Sequence, residues 1–161
     1  MTTTALEGVR VIEYGSFISA AYCCKLMADL GADVVKVEHP DGGDEARRHG
    51  PFLQDQPHPE RSGLFLYLNL NKRSVTLDTA TPTGRTLLGE LVGKADILVE
   101  NWRPGFLAGR GLDYERLRKL NPELIMTSIS AFGQTGPYSG YVAYHLNASA
   151  VGGVCTVGEP D

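Results

Sequence analysis

Apolar and polar positions come in short blocks along this chain, and most blocks end on a glycine or a proline. VRVIEYG, Val9 to Gly15, is an apolar run of strand length that stops at glycine. SAAYCCKLMADLGA follows at once. Its Ala20, Cys23, Cys24, Met27 and Leu30 recur at helical spacing, and Gly31 supplies a C-terminal stop. DVVKVEHP, Asp33 to Pro40, is a second strand, closed by proline. Strand, helix and strand in so short a stretch predict a parallel pair with a right-handed crossover.

The next segment, DGGDEARRHGPFLQDQPHPERSG, has no period and is rich in Gly, Pro and charge, so it reads as loop. LFLYLNLNKRSVTLD resumes with a short helix and then a strand around Ser74 to Leu77. Thr81 and Pro82 form an N-cap followed by an N1 proline. Leu87, Leu88, Leu91 and Val92 give the helix behind them an apolar face, and Gly93 ends it. Asp96 to Glu100 is a strand, Asp113 caps a short helix carrying Leu117 and Leu120, and Leu124 to Ser130 is a strand again. After the glycine-rich loop AFGQTGPYSG, YHLNASAVGG starts a last helix that ends at Gly152 and Gly153.

Alternating strands and helices predict an open, mostly parallel α/β sheet of Rossmann type with helices on both faces. Ligands of such sheets lie outside the carboxyl ends of the strands. Five segments therefore crowd one rim: Gly15 to Ser19, Glu38 to Pro40, Leu77 to Thr81, Glu100 to Gly105 and Ser130 to Gly136.

Composition narrows the functions. The chain has 161 residues, enough for one domain with a real core, and a net charge of -4. That balance argues against nucleic-acid binding, which rests on phosphate neutralisation by Lys and Arg. No apolar run reaches the roughly 18 residues of a membrane span, so no membrane is expected as partner. Cys23, Cys24 and Cys155 are odd in number, two of them adjacent, and no His or Cys pair has ligand spacing. The expectation is a reduced, cytoplasmic protein without a metal.

The turn after the first strand, EYGSFISAAY, has one glycine where the dinucleotide fingerprint needs three, and bulky Phe17 and Ile18 stand where backbone should approach a pyrophosphate. NAD is therefore not expected, although Glu38 follows the second strand as an acid would. His49 and His58 read as solvated loop residues. His39, at a strand end, could touch a ligand. His145 could be a base or a packed, hydrogen-bonded histidine. Lys72 and Arg73 could form a phosphate site or a solvated edge. Arg103 and Arg110 flank a Gly-Pro turn where guanidinium groups could grip phosphate. Trp102 offers a face for an adenine, or anchors the core.

Four blocks taken together carry a resemblance: LEGVRVIEY with LMADLGADVVKVEHPDGGD, then LNKRSVTLD, then ADILVENWRPG, then YERLRKLNPELIMTSISAFGQTGPY. In order and spacing they resemble the N-terminal part of the family III CoA-transferases, the CaiB/BaiF family, from Leu6 to about Gly158. The resemblance implies a Rossmann-like domain that forms interlocked dimers. It implies transfer of CoA from an acyl-CoA to a free carboxylic acid, with coenzyme A along the strand ends. Phe17, Leu77 and Ala80 match positions near CoA, and Asn101 with Trp102 matches an Asn-aromatic pair lining it. His39 stands where relatives often carry an arginine. Arg103 belongs to the family's RPG turn, and Arg110 is one place later than the arginine expected near Gly109.

A racemase branch of the family carries a proton-moving histidine seven residues after the proline of a GP pair. Seven from Pro137 is Tyr144, which favours the transferase reading, while a one-residue insertion would restore His145 as a racemase base. The family's nucleophile is an aspartate further on, beyond Asp161; its carboxylate attacks the thioester and forms a mixed anhydride. Residues 1–161 thus read as an incomplete N-terminal CoA-binding domain. No catalytic residue is expected within it unless His145 serves a racemase. It should be inactive alone and should form a homodimer or pair with a complete subunit. A non-catalytic CoA-binding or interaction module remains the alternative from another class.

Overall fold

The computed structural model describes residues 4–154 of the chain, so Cys155 and Asp161 lie outside the described residues. Five strands form one sheet: β1 (Arg10–Tyr14), β2 (Asp33–Glu38), β3 (Arg73–Thr76), β4 (Ile97–Glu100) and β5 (Ile125–Ser128). Their order is β3-β2-β1-β4-β5, and every neighbouring pair is parallel. Parallel neighbours need crossovers. The chain supplies them through α1 (Ser19–Asp29), α2 (Gly63–Asn69), α3 (Pro82–Val92) and α4 (Tyr114–Leu120), and α5 (His145–Val151) follows the sheet. The expected Rossmann-like α/β class is the one observed.

Strand side chains alternate between the faces, so one strand feeds two cores. Val11 of β1, Val34 of β2 and Val99 of β4 pack with Ala20, Cys24 and Ala28 of α1. These helix side chains are small, which lets α1 approach the sheet closely. Ile12, Tyr14, Val37 and Leu98 point the other way, onto Leu88 and Val92 of α3 and Leu117 of α4. Both faces are covered, which is why the central strands read as nearly unbroken apolar runs.

The helix ends follow the sequence signals. Thr81 Oγ1 accepts from Gly84 N at 3.0 Å with Pro82 at N1, and Asp113 Oδ1 accepts from Arg116 N at 3.1 Å. Gly31, at φ +98°, stops α1. Three apolar positions that the helical pattern singled out are not core, Leu30, Leu87 and Leu120, the last 61% exposed at the end of α4. Leu30 lies one residue beyond α1 and is 51% exposed. Leu87 is exposed as well, because the buried line of α3 runs through Gly84, Leu88 and Val92, each four residues from the last. Both edge strands keep exposed positions. Among the described residues no helix is long and apolar enough to cross a membrane.

Candidate functional site

Because all strands are parallel, their carboxyl ends share one rim, and the chain reverses its direction of travel across the sheet between β1 and β4. Ligand crevices of open α/β sheets lie at such a switch point. Here Asn101 bridges it. Its Oδ1 accepts from Ser16 N at 2.9 Å, and its Nδ2 donates to Ser16 O at 2.8 Å and to Ser19 Oγ at 2.9 Å. The bridge leaves no room beneath it: a Cβ on Gly15 would sit 2.4 Å from Asn101 Oδ1.

Beside this bridge lies a cleft of about 120 Å³. Its walls come from Tyr14 to Ser16, Val37 to His39, Gly43 and Asp44, Leu77 to Ala80, and the Trp102, Phe106 and Arg110 side. Tyr14 reaches Thr79 with its hydroxyl, 2.5 Å from Thr79 Oγ1, and burial pushes its pKa up. The far wall is a stack. The Trp102 indole lies 4.5 Å from the Phe106 ring at 15°, and the Arg110 guanidinium sits 3.7 Å over the same ring. Segment 102–110 winds through turns and a short 3-10 helix that bring Trp102, Phe106 and Arg110 onto one side.

On this wall Trp102 Nε1 and Arg110 Nε are buried without a hydrogen-bond partner among the described residues, as is Ser130 Oγ nearby. Arg110 also has no carboxylate partner among them. Buried polar groups are ordinarily satisfied, so such orphans need an explanation. A ligand carrying anionic and aromatic groups fits these donors and this stack. A second groove, about 450 Å³, adjoins the first across Trp102 and is lined by Ser19, Asn101, Arg103, Ser130, Phe132 and Tyr141 among others.

Of the residues expected at the site, His39, Leu77, Ala80, Trp102 and Arg110 line the first cleft, and Asn101, Trp102 and Arg103 line the second. Arg103 is exposed, and among the described residues its guanidinium has no partner. The Phe17 side chain faces elsewhere. Its backbone is left-handed, φ +67°, which turns the ring toward Ala21, Ala46 and Leu68 and 4.9 Å from the His49 ring. His145 is neither packed nor in a cleft. It is exposed on α5, which buries no residue, with Nδ1 3.4 Å from Ser149 Oγ.

Lys72 and Arg73 part company: Arg73 is the solvated edge residue that one reading expected, on edge strand β3, and Lys72 fits neither reading. Lys72 points inward, its side chain 2% exposed, and pairs with Glu13 at 2.7 Å, whereas Arg73 points out and pairs with Asp33 at 2.5 Å. Sequence reasoning missed Tyr14 and Phe106, and reached Thr79 only as part of the Leu77 to Thr81 rim segment. Phe106 could have been found, since Trp102, Phe106 and Arg110 are spaced at helical intervals of four.

Two acids near the rim are shifted in opposite directions. Burial would raise the Glu38 carboxyl, but bonds from Arg47, Ser74 Oγ and Asp44 N outweigh it and hold the pKa at about 2. Burial wins at Glu100, whose pKa is raised despite bonds from Ser128 and from Trp102 N at 2.7 Å. Among the described residues no group of three or more His, Cys, Asp or Glu side chains could hold a metal ion.

The sequence matches the family described as CoA-transferase family III over residues 6–161. It is 43% identical over 159 residues to a succinate–glutarate CoA-transferase of Agrobacterium fabrum, spanning 97% of this chain and 40% of the relative. It is 44% identical over 156 residues to a succinyl-CoA–L-malate CoA-transferase beta subunit of Chloroflexus aurantiacus, spanning 95% of this chain and 37% of that one. A solved CaiB/BaiF family protein from Brucella suis superposes with a TM-score of 0.88 at 39% identity, over 99% of this chain and 42% of that structure. The chain thus spans well under half the length of the curated relatives it matches.

Proposed function

The chain belongs to CoA-transferase family III, and on that premise we propose that it forms the coenzyme A-binding part of an acyl-CoA:carboxylate CoA-transferase. The observation that carries the reading is the pair of buried donors, Trp102 Nε1 and Arg110 Nε, that have no partner among the described residues and lie on the stacked wall of the cleft. Arg110 supplies a cation with no carboxylate partner among the described residues, and Trp102 and Phe106 supply aromatic surface. Tyr14, His39, Leu77, Thr79 and Ala80 line the rest of the cleft, and Arg103 lines the adjoining groove. In this reading the nucleotide end of CoA lies in the first cleft, and the second groove leads toward the thioester.

The relatives named above act on small dicarboxylates or their CoA esters, which supports a small carboxylic acid as the acceptor. The carboxylate that attacks the thioester belongs, in this reading, to the part of the relatives' length that this chain does not span. A second subunit belongs to the same reading. It is supported by apolar side chains left exposed on α1 and α2, Tyr22, Leu26, Leu66 and Tyr67 among them. The reaction is assigned to the cytoplasm.

Trp102 is the only tryptophan, so its fluorescence reports the cleft directly. Titration with CoA should give a saturable change. Arg110→Met should weaken CoA binding by about tenfold to a hundredfold, as expected for losing a hydrogen bond to a charged group. Absence of saturation at millimolar CoA by both fluorescence and calorimetry, in folded protein, would overturn the assignment.

A further inference from the structure

On the α1 side of the sheet, directly behind the cleft, four charges are hidden from water. Glu13 of β1 and Lys36 of β2 are partners in register, 0% and 1% exposed. Lys36 Nζ lies 2.5 Å from Glu13 Oε1 and 2.7 Å from Asp44 Oδ2. The other Glu13 oxygen takes Lys72 Nζ, which also donates to Ala21 O at 2.8 Å and Asn69 Oδ1 at 3.0 Å. The chain of contacts is therefore Lys72, Glu13, Lys36, Asp44, two cations and two carboxylates in alternation.

Asp44 is the end that reaches the cleft. Its Oδ1 accepts from Phe17 N at 3.1 Å and from Ala46 N at 2.7 Å, and its own N–H donates to Glu38 Oε2 at 2.9 Å. Glu45 N adds a bond to Ser16 Oγ at 3.3 Å. Two cleft walls, Gly15–Ser16 and Gly43–Asp44, are thus zipped together at their base.

Stability alone does not ask for this arrangement. Replacing a buried ion network by apolar groups of similar volume is often neutral or stabilising. Nor does a non-glycine residue settle in the left-handed region unless its surroundings over-determine it, as Asp44 does here for Phe17. Resting on the reading of the cleft as the nucleotide site, we propose that Asp44, anchored by Lys36, is a positioning residue for coenzyme A binding. It fixes the Ser16–Phe17 turn against the Gly43–Asp44 wall and so sets the width of the cleft. It touches no reacting atom.

The test uses the whole protein and CoA itself. Asp44→Asn keeps the shape and removes the charge. CoA binding, read by Trp102 fluorescence, should weaken by about tenfold, in the range that losing an outer-shell partner costs a bound metal. Hydrogen exchange at the Phe17 amide should accelerate. Asp113→Ala removes the α4 cap away from the cleft and lowers the melting temperature, yet should leave the CoA dissociation constant unchanged. Wild-type affinity in folded Asp44→Asn, or an equal loss in Asp113→Ala, overturns the proposal. If Asp44→Asn does not fold, Ser16→Ala decides, with about threefold weaker binding expected from one lost hydrogen bond and unchanged binding overturning it. If the wild type itself does not bind CoA, the proposed function falls, and Phe17 amide exchange still decides whether Asp44 holds the turn.

Discussion

The two faces of this sheet treat buried charge in opposite ways. On the α1 side, Lys36 and Lys72 are consumed by Glu13 and Asp44. On the α3 and α4 side, Arg110 lies on an aromatic ring with no carboxylate among the described residues, and its Nε is unsatisfied. A charge whose partners are all internal is scaffold. A charge with no partner among the described residues is, in the proposed reading, left for the ligand. The lysines show how finely pairing decides the outcome. Burial pulls the Lys36 ammonium toward neutrality, but two carboxylates outweigh it and its pKa ends above the ordinary value. Lys72 has one carboxylate and two neutral oxygens, and there burial wins and its pKa ends low.

The sharpest way to break this contrast is to remove one cation from each face. Lys36→Met leaves Asp44 buried without its counter-charge and Glu13 with only Lys72. Breaking a buried pair from one side costs about 3–5 kcal/mol. Arg110→Met should cost less than about 1 kcal/mol, because no internal charge is stranded and the new side chain still packs on Phe106. Urea unfolding of both variants measures the difference. Equal losses would mean that Arg110 is as structural as Lys36, and that the orphan Nε is no sign of a ligand.

Much of the frame was legible because its signals are local. Thr81 with Pro82, Asp113 and Gly31 each mark a helix end by chemistry confined to a few residues, and each end falls there. The parallel order followed from strand and helix alternation, and the rim from the parallel order. The site was legible only in part, because side-chain direction depends on distant elements. Adjacent Lys72 and Arg73 look alike in sequence, yet neighbouring positions of extended chain point to opposite sides. One meets Glu13 and the other meets Asp33. Phe17 was placed correctly on the rim, but its left-handed backbone swings the ring to the far side. Lys36 carried an overlooked signal. A charge in the middle of DVVKVE, a central strand covered on both faces, has to find an opposite charge.

Acid should dissect the clasp that closes the paired side. Glu38 is held at about 2, below the usual 4.5, against burial and by Arg47, Ser74 and the Asp44 amide. A depressed folded pKa gives stability that is fully present above the unfolded pKa and is lost as pH falls through the folded one. The window is therefore from about pH 4.5 down to about 2. At neutral pH, Glu38→Gln should destabilise by on the order of 2–3 kcal/mol. The gap between wild type and variant should close across that window. A gap that stays constant down to pH 2 would show that Glu38 contributes packing rather than charge.

The smallest effect tests whether pairing or burial makes the difference between the faces. Arg73 and Asp33 pair across β3 and β2 as closely as Lys36 and Glu13 do, at 2.5 Å in each case. Their side chains are 69% and 48% exposed, whereas those of Lys36 and Glu13 are 1% and 0%. Water solvates each partner after the other is removed, so nothing is stranded. Exposed pairs contribute about 0.2–1 kcal/mol, and added salt screens even that. Arg73→Ala should therefore shift the urea midpoint only slightly, and the shift should vanish near 1 M salt. The Lys36→Met loss should survive the same salt, because its charges are buried and poorly screened. A salt-resistant loss at Arg73 as large as that at Lys36 would make contact distance, and not enclosure, the source of the contrast between the two faces.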